Sequence, residues 1–173
     1  MLSSGPAWSE WLEKQESIAL DVYKIKPSQL IAEQRREQGI SRDYKGREIL
    51  ELLQNAADAA KKADQRGRIR IELSPTGLIV ANTGLGFTTG GVRSLQTADL
   101  SPKRGKNSQL IGSKGLGFRS VLNWSRHPLI ISGTLRIAFS SSYSQDLVNQ
   151  LTSQSAAVRE ELGKHQDEVT VPL

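Results

Sequence analysis

Between residues 82 and 118 the chain carries eight glycines: Gly84, Gly86, Gly90, Gly91, Gly105, Gly112, Gly115 and Gly117. That density rules out one long helix or strand through the segment, because each interior glycine costs about 0.5–1 kcal/mol relative to alanine. The segment must be turns and loops broken by short elements. A short helix is expected over about 92–97 and another over 118–125.

The flanks are regular. Trp8, Trp11, Leu12, Ile18, Ala19 and Val22 recur near helical spacing, so 8–22 reads as a helix. Pro27 suits the first turn of a second helix, with Gly39 as its expected stop. A third helix is expected over 44–64. Then the period changes. Arg68 to Leu73 alternates strictly as a half-buried strand does, Ser74-Pro75-Thr76-Gly77 is a turn sequence, and Leu78 to Ala81 returns, giving a hairpin over 68–81. Downstream, 129–131 and 134–139 read as strands around Ser132-Gly133, 144–164 as one helix, and Val169 to Val171 as a strand. This order predicts an α+β fold, a two-layer sandwich with helices on one face of a mixed, mainly antiparallel sheet.

The chain reads as a single domain over 1–173 with a helical extension over 1–43. It stops at Pro172-Leu173, directly after a candidate strand, which reads as the N-terminal fragment of a longer protein.

Composition narrows the function. The chain has 173 residues, 37% of them hydrophobic, enough for a real core. No apolar run approaches the roughly 18 residues that span a bilayer, and the first residues lack the apolar core of a secretory signal. With no cysteine and two isolated histidines, His127 and His165, neither disulfides nor a zinc site are expected. A reducing cytoplasm fits. The net charge of +5 allows contact with nucleic acid without demanding it.

The third helix carries the chemistry. Positions three, four and seven apart share a helix face, so Glu51, Asn55 and Asp58 line up, with Ile49, Leu52, Leu53, Ala56, Ala57 and Ala60 opposite. An amide oxygen suits magnesium, which prefers hard oxygen donors. A carboxylate one turn earlier can act as general base on a water. The plainer alternative is an amphipathic helix with a solvated polar face, where Arg47 and Glu51 form an i,i+4 ion pair worth a few tenths of a kcal/mol.

Two glycine loops follow. Asn82-Thr83-Gly84-Leu85-Gly86-Phe87 leaves a strand and turns sharply, and its glycines let a ligand approach the backbone. Gly112-Ser113-Lys114-Gly115-Leu116-Gly117-Phe118 then enters a helix, whose free N–H groups suit an anion such as a di- or triphosphate. The spacing matches neither a Rossmann fingerprint nor a Walker loop.

The order of polar-faced helix, hairpin, glycine loop, polar segment, glycine loop and helix resembles the GHKL (Bergerat) superfamily, which includes DNA gyrase, ninety-kilodalton heat-shock chaperones and histidine kinases. Glu51-Leu52-Leu53-Gln54-Asn55-Ala56-Ala57-Asp58-Ala59 resembles its N box, and the two glycine loops resemble its glycine boxes. Within the superfamily the motifs are most similar to the sacsin and NO VEIN type of chaperone-like modules. The resemblance covers about residues 44–124.

The resemblance implies ATP with Mg2+, slow hydrolysis, and a conformational change passed to downstream domains of the same protein, with a homodimer on ATP binding as one arrangement. It assigns Glu51 as the water-activating base and Asn55 as the magnesium ligand. Asp58 falls near the nucleotide. Gly84 and Gly86 shape the adenine floor, Phe87 flanks the base, and Gly112 to Phe118 form the phosphate loop, with 98–110 as a lid. Asn82 stands where many members have an aspartate for the adenine amino group. Its bond is neutral, hence weaker than a charge-assisted one, and looser base selectivity or affinity is expected. Lys114 is the candidate cation for the γ-phosphate. The alternative is a degenerate module that serves as scaffold without turnover, with or without nucleic-acid binding. A histidine kinase fits poorly, since neither histidine sits in a phospho-acceptor helix.

Overall fold

The structure is a computed structural model and describes residues 6–43, 45–96, 117–125 and 127–165. Within them the fold is α+β, as the alternation of periods predicts. Helices α1 (Pro6–Ile25), α2 (Pro27–Asp43) and α3 (Glu48–Lys62) lead into strands β1 (Ile69–Ser74) and β2 (Gly77–Asn82). Helix α4 (Thr89–Gln96), a 3-10 helix (Gly117–Asn123), strands β3 (Leu129–Ser132) and β4 (Leu135–Ala138), and helices α5 (Ser141–Gln154) and α6 (Ala156–Lys164) follow. The strands pair as two separate antiparallel hairpins, β1 with β2 and β3 with β4. The expected strand over 169–171 lies outside the described residues.

The chain divides into two compact units. The described residues of Ile40–Val121 form a contiguous one, and those of Met1–Gly39 and Leu122–Leu173 form the other around that insertion in sequence. In the discontinuous unit Ile31, Ile130, Leu135, Leu151 and Val158 are buried. Tyr23 donates to Glu33 Oε2 at 2.6 Å, and Gln29 donates to Glu33 Oε1 at 2.9 Å, which fixes the short joint between α1 and α2. Tyr143 on α5 donates its hydroxyl proton to the Glu16 carboxylate of α1, 2.8 Å from each oxygen. That bond, with burial and the carboxylate's charge, holds the Tyr143 phenol above its usual range.

Several boundaries differ from the sequence reading, that of the third helix among them, which begins at Glu48 and not at 44. Helix α2 runs past Gly39 to Asp43, because one interior glycine weakens a helix by only about 1 kcal/mol. The left-handed glycine of this stretch is Gly46, at φ 83°, in the link to α3. The helix expected over 144–164 is broken at Ser155, whose extended backbone ends α5 while its hydroxyl accepts from Val158 N–H at 3.3 Å and so caps α6. The helix expected over 118–125 is a 3-10 helix ending at Asn123.

Helix α3 ends in a double bond pattern. Gln65 N–H reaches Ala60 O at 3.2 Å and Asp64 N–H reaches Lys61 O at 3.1 Å, while Asp64 takes φ 49°. This is a Schellman turn with aspartate at the left-handed position that glycine favours. Its carboxylate also sits at the negative helix end. Asp64→Gly should therefore stabilise the protein by roughly 0.5–1 kcal/mol, read as a higher urea midpoint. A lower midpoint would show that the Asp64 carboxylate holds the turn through its own contacts.

Candidate functional site

The contiguous unit contains α3 and the first glycine loop. Glu48 and Glu51 stand in the first turn of α3, where carboxylates meet the positive helix end, and Lys61 and Lys62 stand in the last. Glu48, Glu51 and Asp58 are buried at 2%, 8% and 3% exposure, and Asn55 between them is half-buried. Glu48, Glu51, Asn55 and Asp58 form one stripe at i, i+3, i+7 and i+10.

This corrects the assignment of faces. Ala56 and Ala60 are buried as expected, but Ala57 is exposed, as is Leu50 at 47%. The buried arc takes in the acid stripe together with the alanines. The Arg47–Glu51 ion pair of the plainer alternative is present, Nη2 to Oε1 at 3.5 Å. The solvated face that this alternative requires is not. Burying carboxylates is costly unless they are hydrogen-bonded, and among the described residues no buried side-chain nitrogen or oxygen lacks a hydrogen-bond partner. The sequence reading missed Glu48, the most deeply buried acid of the stripe, although its three-residue offset from Glu51 was there to be read.

The first glycine loop is seated on α3. Leu85 N–H donates to Ala59 O at 2.9 Å, a carbonyl that also accepts from Ala63 N–H at 3.2 Å. Gly84 lies against the same turn at φ 132°, and a Cβ there would fall 2.6 Å from the Ala59 carbonyl carbon and 2.7 Å from the Ala60 nitrogen. Thr83 secures the strand ends, with its N–H on Arg68 O at 3.0 Å and its hydroxyl accepting from Arg68 N–H at 2.9 Å. Asn82, offered as the base reader, is exposed at the end of β2, and its amide donates to Thr83 O at 3.1 Å. Gly86 is exposed, and Phe87 is 37% exposed.

Thr88 then caps α4. Its hydroxyl accepts from Gly91 N–H at 3.2 Å, and Val92 and Leu95 turn into the core. Of the second glycine loop, Gly117 opens the 3-10 helix, with Phe118 half-buried and Ser120 buried. Gly112, Ser113, Lys114, Gly115 and Leu116 lie outside the described residues, as does the expected lid over 98–110.

The structure thus brings Glu51, Asn55 and Asp58 onto one face and seats Gly84 at the C-terminal end of the same helix. The donor set is a buried carboxylate and, one turn on, a half-buried carboxamide. Both offer hard oxygens of the kind magnesium takes. Among the described residues no three His, Cys, Asp or Glu form a metal cluster, and no helix is long and apolar enough to cross a membrane.

Comparison with known proteins gives one relation. A stretch of 97 residues, 56% of the chain, is 36% identical to Protein NO VEIN of Arabidopsis thaliana. The chain spans 4% of that protein's length. No protein-family model matches the chain, and no solved structure matches it significantly.

Gly84 combines a backbone angle that side chains avoid with contact against backbone that cannot yield. Gly84→Ala should cost about 2–4 kcal/mol, measured by urea unfolding. A loss under about 0.5 kcal/mol would mean that the loop is not held against α3 in solution.

Proposed function

We propose that the chain is a Bergerat-type module that binds ATP with magnesium and hydrolyses it slowly, driving a conformational change in a larger chaperone-like or remodelling protein. The observation that carries this reading is the acid-and-amide stripe of α3, buried on the helix that seats the first glycine loop. A carboxylate held out of bulk water is the kind of group active sites use. The 36% identity to Protein NO VEIN, the type that the sequence motifs resemble, supports the same reading.

In this reading Glu51 accepts the proton of the attacking water, and Arg47 orients its carboxylate. Asn55 offers its carboxamide oxygen to the cation, and Asp58 lines the nucleotide side of the helix. Magnesium bound with the nucleotide supplies charge neutralisation on the phosphates. Asn82, Gly84, Gly86 and Phe87 form the adenine end, Gly112 to Phe118 the phosphate end, and 98–110 the lid. The apolar β1–β2 face, where Ile69, Ile71, Leu73 and Leu78 are all exposed, is the kind of surface a two-layer sandwich covers. A chain without cysteine fits the cytoplasm.

Two features favour the scaffold alternative. The Asn82 amide is engaged with its neighbour's carbonyl, and Arg47 already occupies Glu51. Calorimetry with Mg-ATP on the full chain separates the two. Wild type should bind, and Asn55→Ala should lose magnesium-dependent binding. Glu51→Ala should keep binding while any turnover falls by about 10²-fold or more. Retained turnover would remove Glu51 as base, and no heat from wild type would leave the scaffold.

A further inference from the structure

Charge is divided unevenly along the chain. Ile40–Val121 holds 14 Lys and Arg against seven Asp and Glu, while the rest holds nine against eleven. Burial sharpens the contrast, since Glu48, Glu51 and Asp58 are withdrawn from the surface. Among the described residues of that unit, nine Lys and Arg are exposed, against Asp43, Asp64 and Glu72.

Five of those cations fall within ten residues: Lys61, Lys62, Arg66, Arg68 and Arg70, with Asp64 alone against them. The fold gathers them. Gln65 N–H is bonded back to Ala60 O, and Gly67 is pressed so close that a Cβ on it would fall 2.7 Å from Ala60 Cβ. Arg68 is pinned by both bonds to Thr83. The connection from α3 to β1 is thus folded against the helix terminus, which keeps the backbone bearing Arg66 and Arg68 close to the helix end bearing Lys62. Arg70 has Glu72 at 2.6 Å and Lys61 has a partner of its own, so Lys62, Arg66 and Arg68 are the core.

The pleat decides which polyanion suits it. Successive strand side chains point to opposite faces, so Arg68 and Arg70 look away from Ile69, Ile71 and Leu73. A lipid surface met through the cations would leave the exposed apolar side chains pointing into water. Residues 61–74 hold no aromatic side chain on which a base could stack. We propose that the α3–β1 turn is a docking surface for the sugar-phosphate backbone of a nucleic acid, bound without regard to base sequence. The proposal is independent of the nucleotide reading.

The test is fluorescence anisotropy of the full chain with a labelled DNA duplex and an RNA single strand, between about 50 and 200 mM salt. Binding should weaken steeply with salt. Lys62→Glu with Arg66→Glu and Arg68→Glu should weaken it at least tenfold and lower the log–log salt slope by roughly 3, about one per lost phosphate contact. The matched control, Lys14→Glu with Lys24→Glu and Lys26→Glu on exposed lysines elsewhere, should bind as wild type. If circular dichroism shows the first triple unfolded, the same three positions changed to Gln repeat the test. No binding by wild type, equal loss in the control, or an unaffected triple overturns the proposal. So does capture by phosphatidylserine vesicles with none by nucleic acid.

Discussion

A single backbone hydrogen bond, Leu85 N–H to Ala59 O, sets the geometry on which the site depends. It reaches a carbonyl near the C-terminus of α3 that also accepts the helix's own Ala63 N–H, so it takes the second lone pair of that oxygen. Around it Gly84 lies flat on the helix backbone and Thr83 ties the strand ends together. The loop after β2 is therefore set by the helix bearing the acid stripe. A loop free of that bond would add ordering entropy to every binding event.

The same helix shows a trade of stability for placement. An alanine- and leucine-rich helix could bury only apolar surface. This one turns Glu48, Glu51 and Asp58 inward and leaves Leu50 and Ala57 outside. Removing carboxylates from water is unfavourable even when they are bonded. Under the proposed reading that cost places Glu51 and Asp58 beside the nucleotide, and it leaves the exterior of the unit to its lysines and arginines.

Much of this was legible in the sequence. The change from helical to alternating period at Arg68 marked the hairpin, and the offsets of Glu51, Asn55 and Asp58 marked a shared face. The density of glycine after Asn82 marked a sharp turn. The rest was hidden for specific reasons. Alanine is small enough to lie on either side of a helix, so Ala57 looked like core. Ser155 reads as an ordinary helix residue until its backbone turns extended, and then it becomes a cap. What Gly84 touches depends on packing that no local pattern encodes, and Gly112 to Leu116 of the second glycine loop and the expected lid lie outside the described residues.

The insertion of one unit within the other in sequence fixes the order in which their residues emerge. A ribosome releases Ile40–Val121 whole before it releases Leu122, so that unit has all its residues while the other still waits for half of its own. Contacts such as Tyr143 with Glu16, 127 residues apart in sequence, form last. If the inserted unit folds first, that closure spans a folded body instead of a loose chain. Its entropic cost then falls well below that of a flexible loop of the same length, and what waits longest for its partners during synthesis is the N-terminal helix pair.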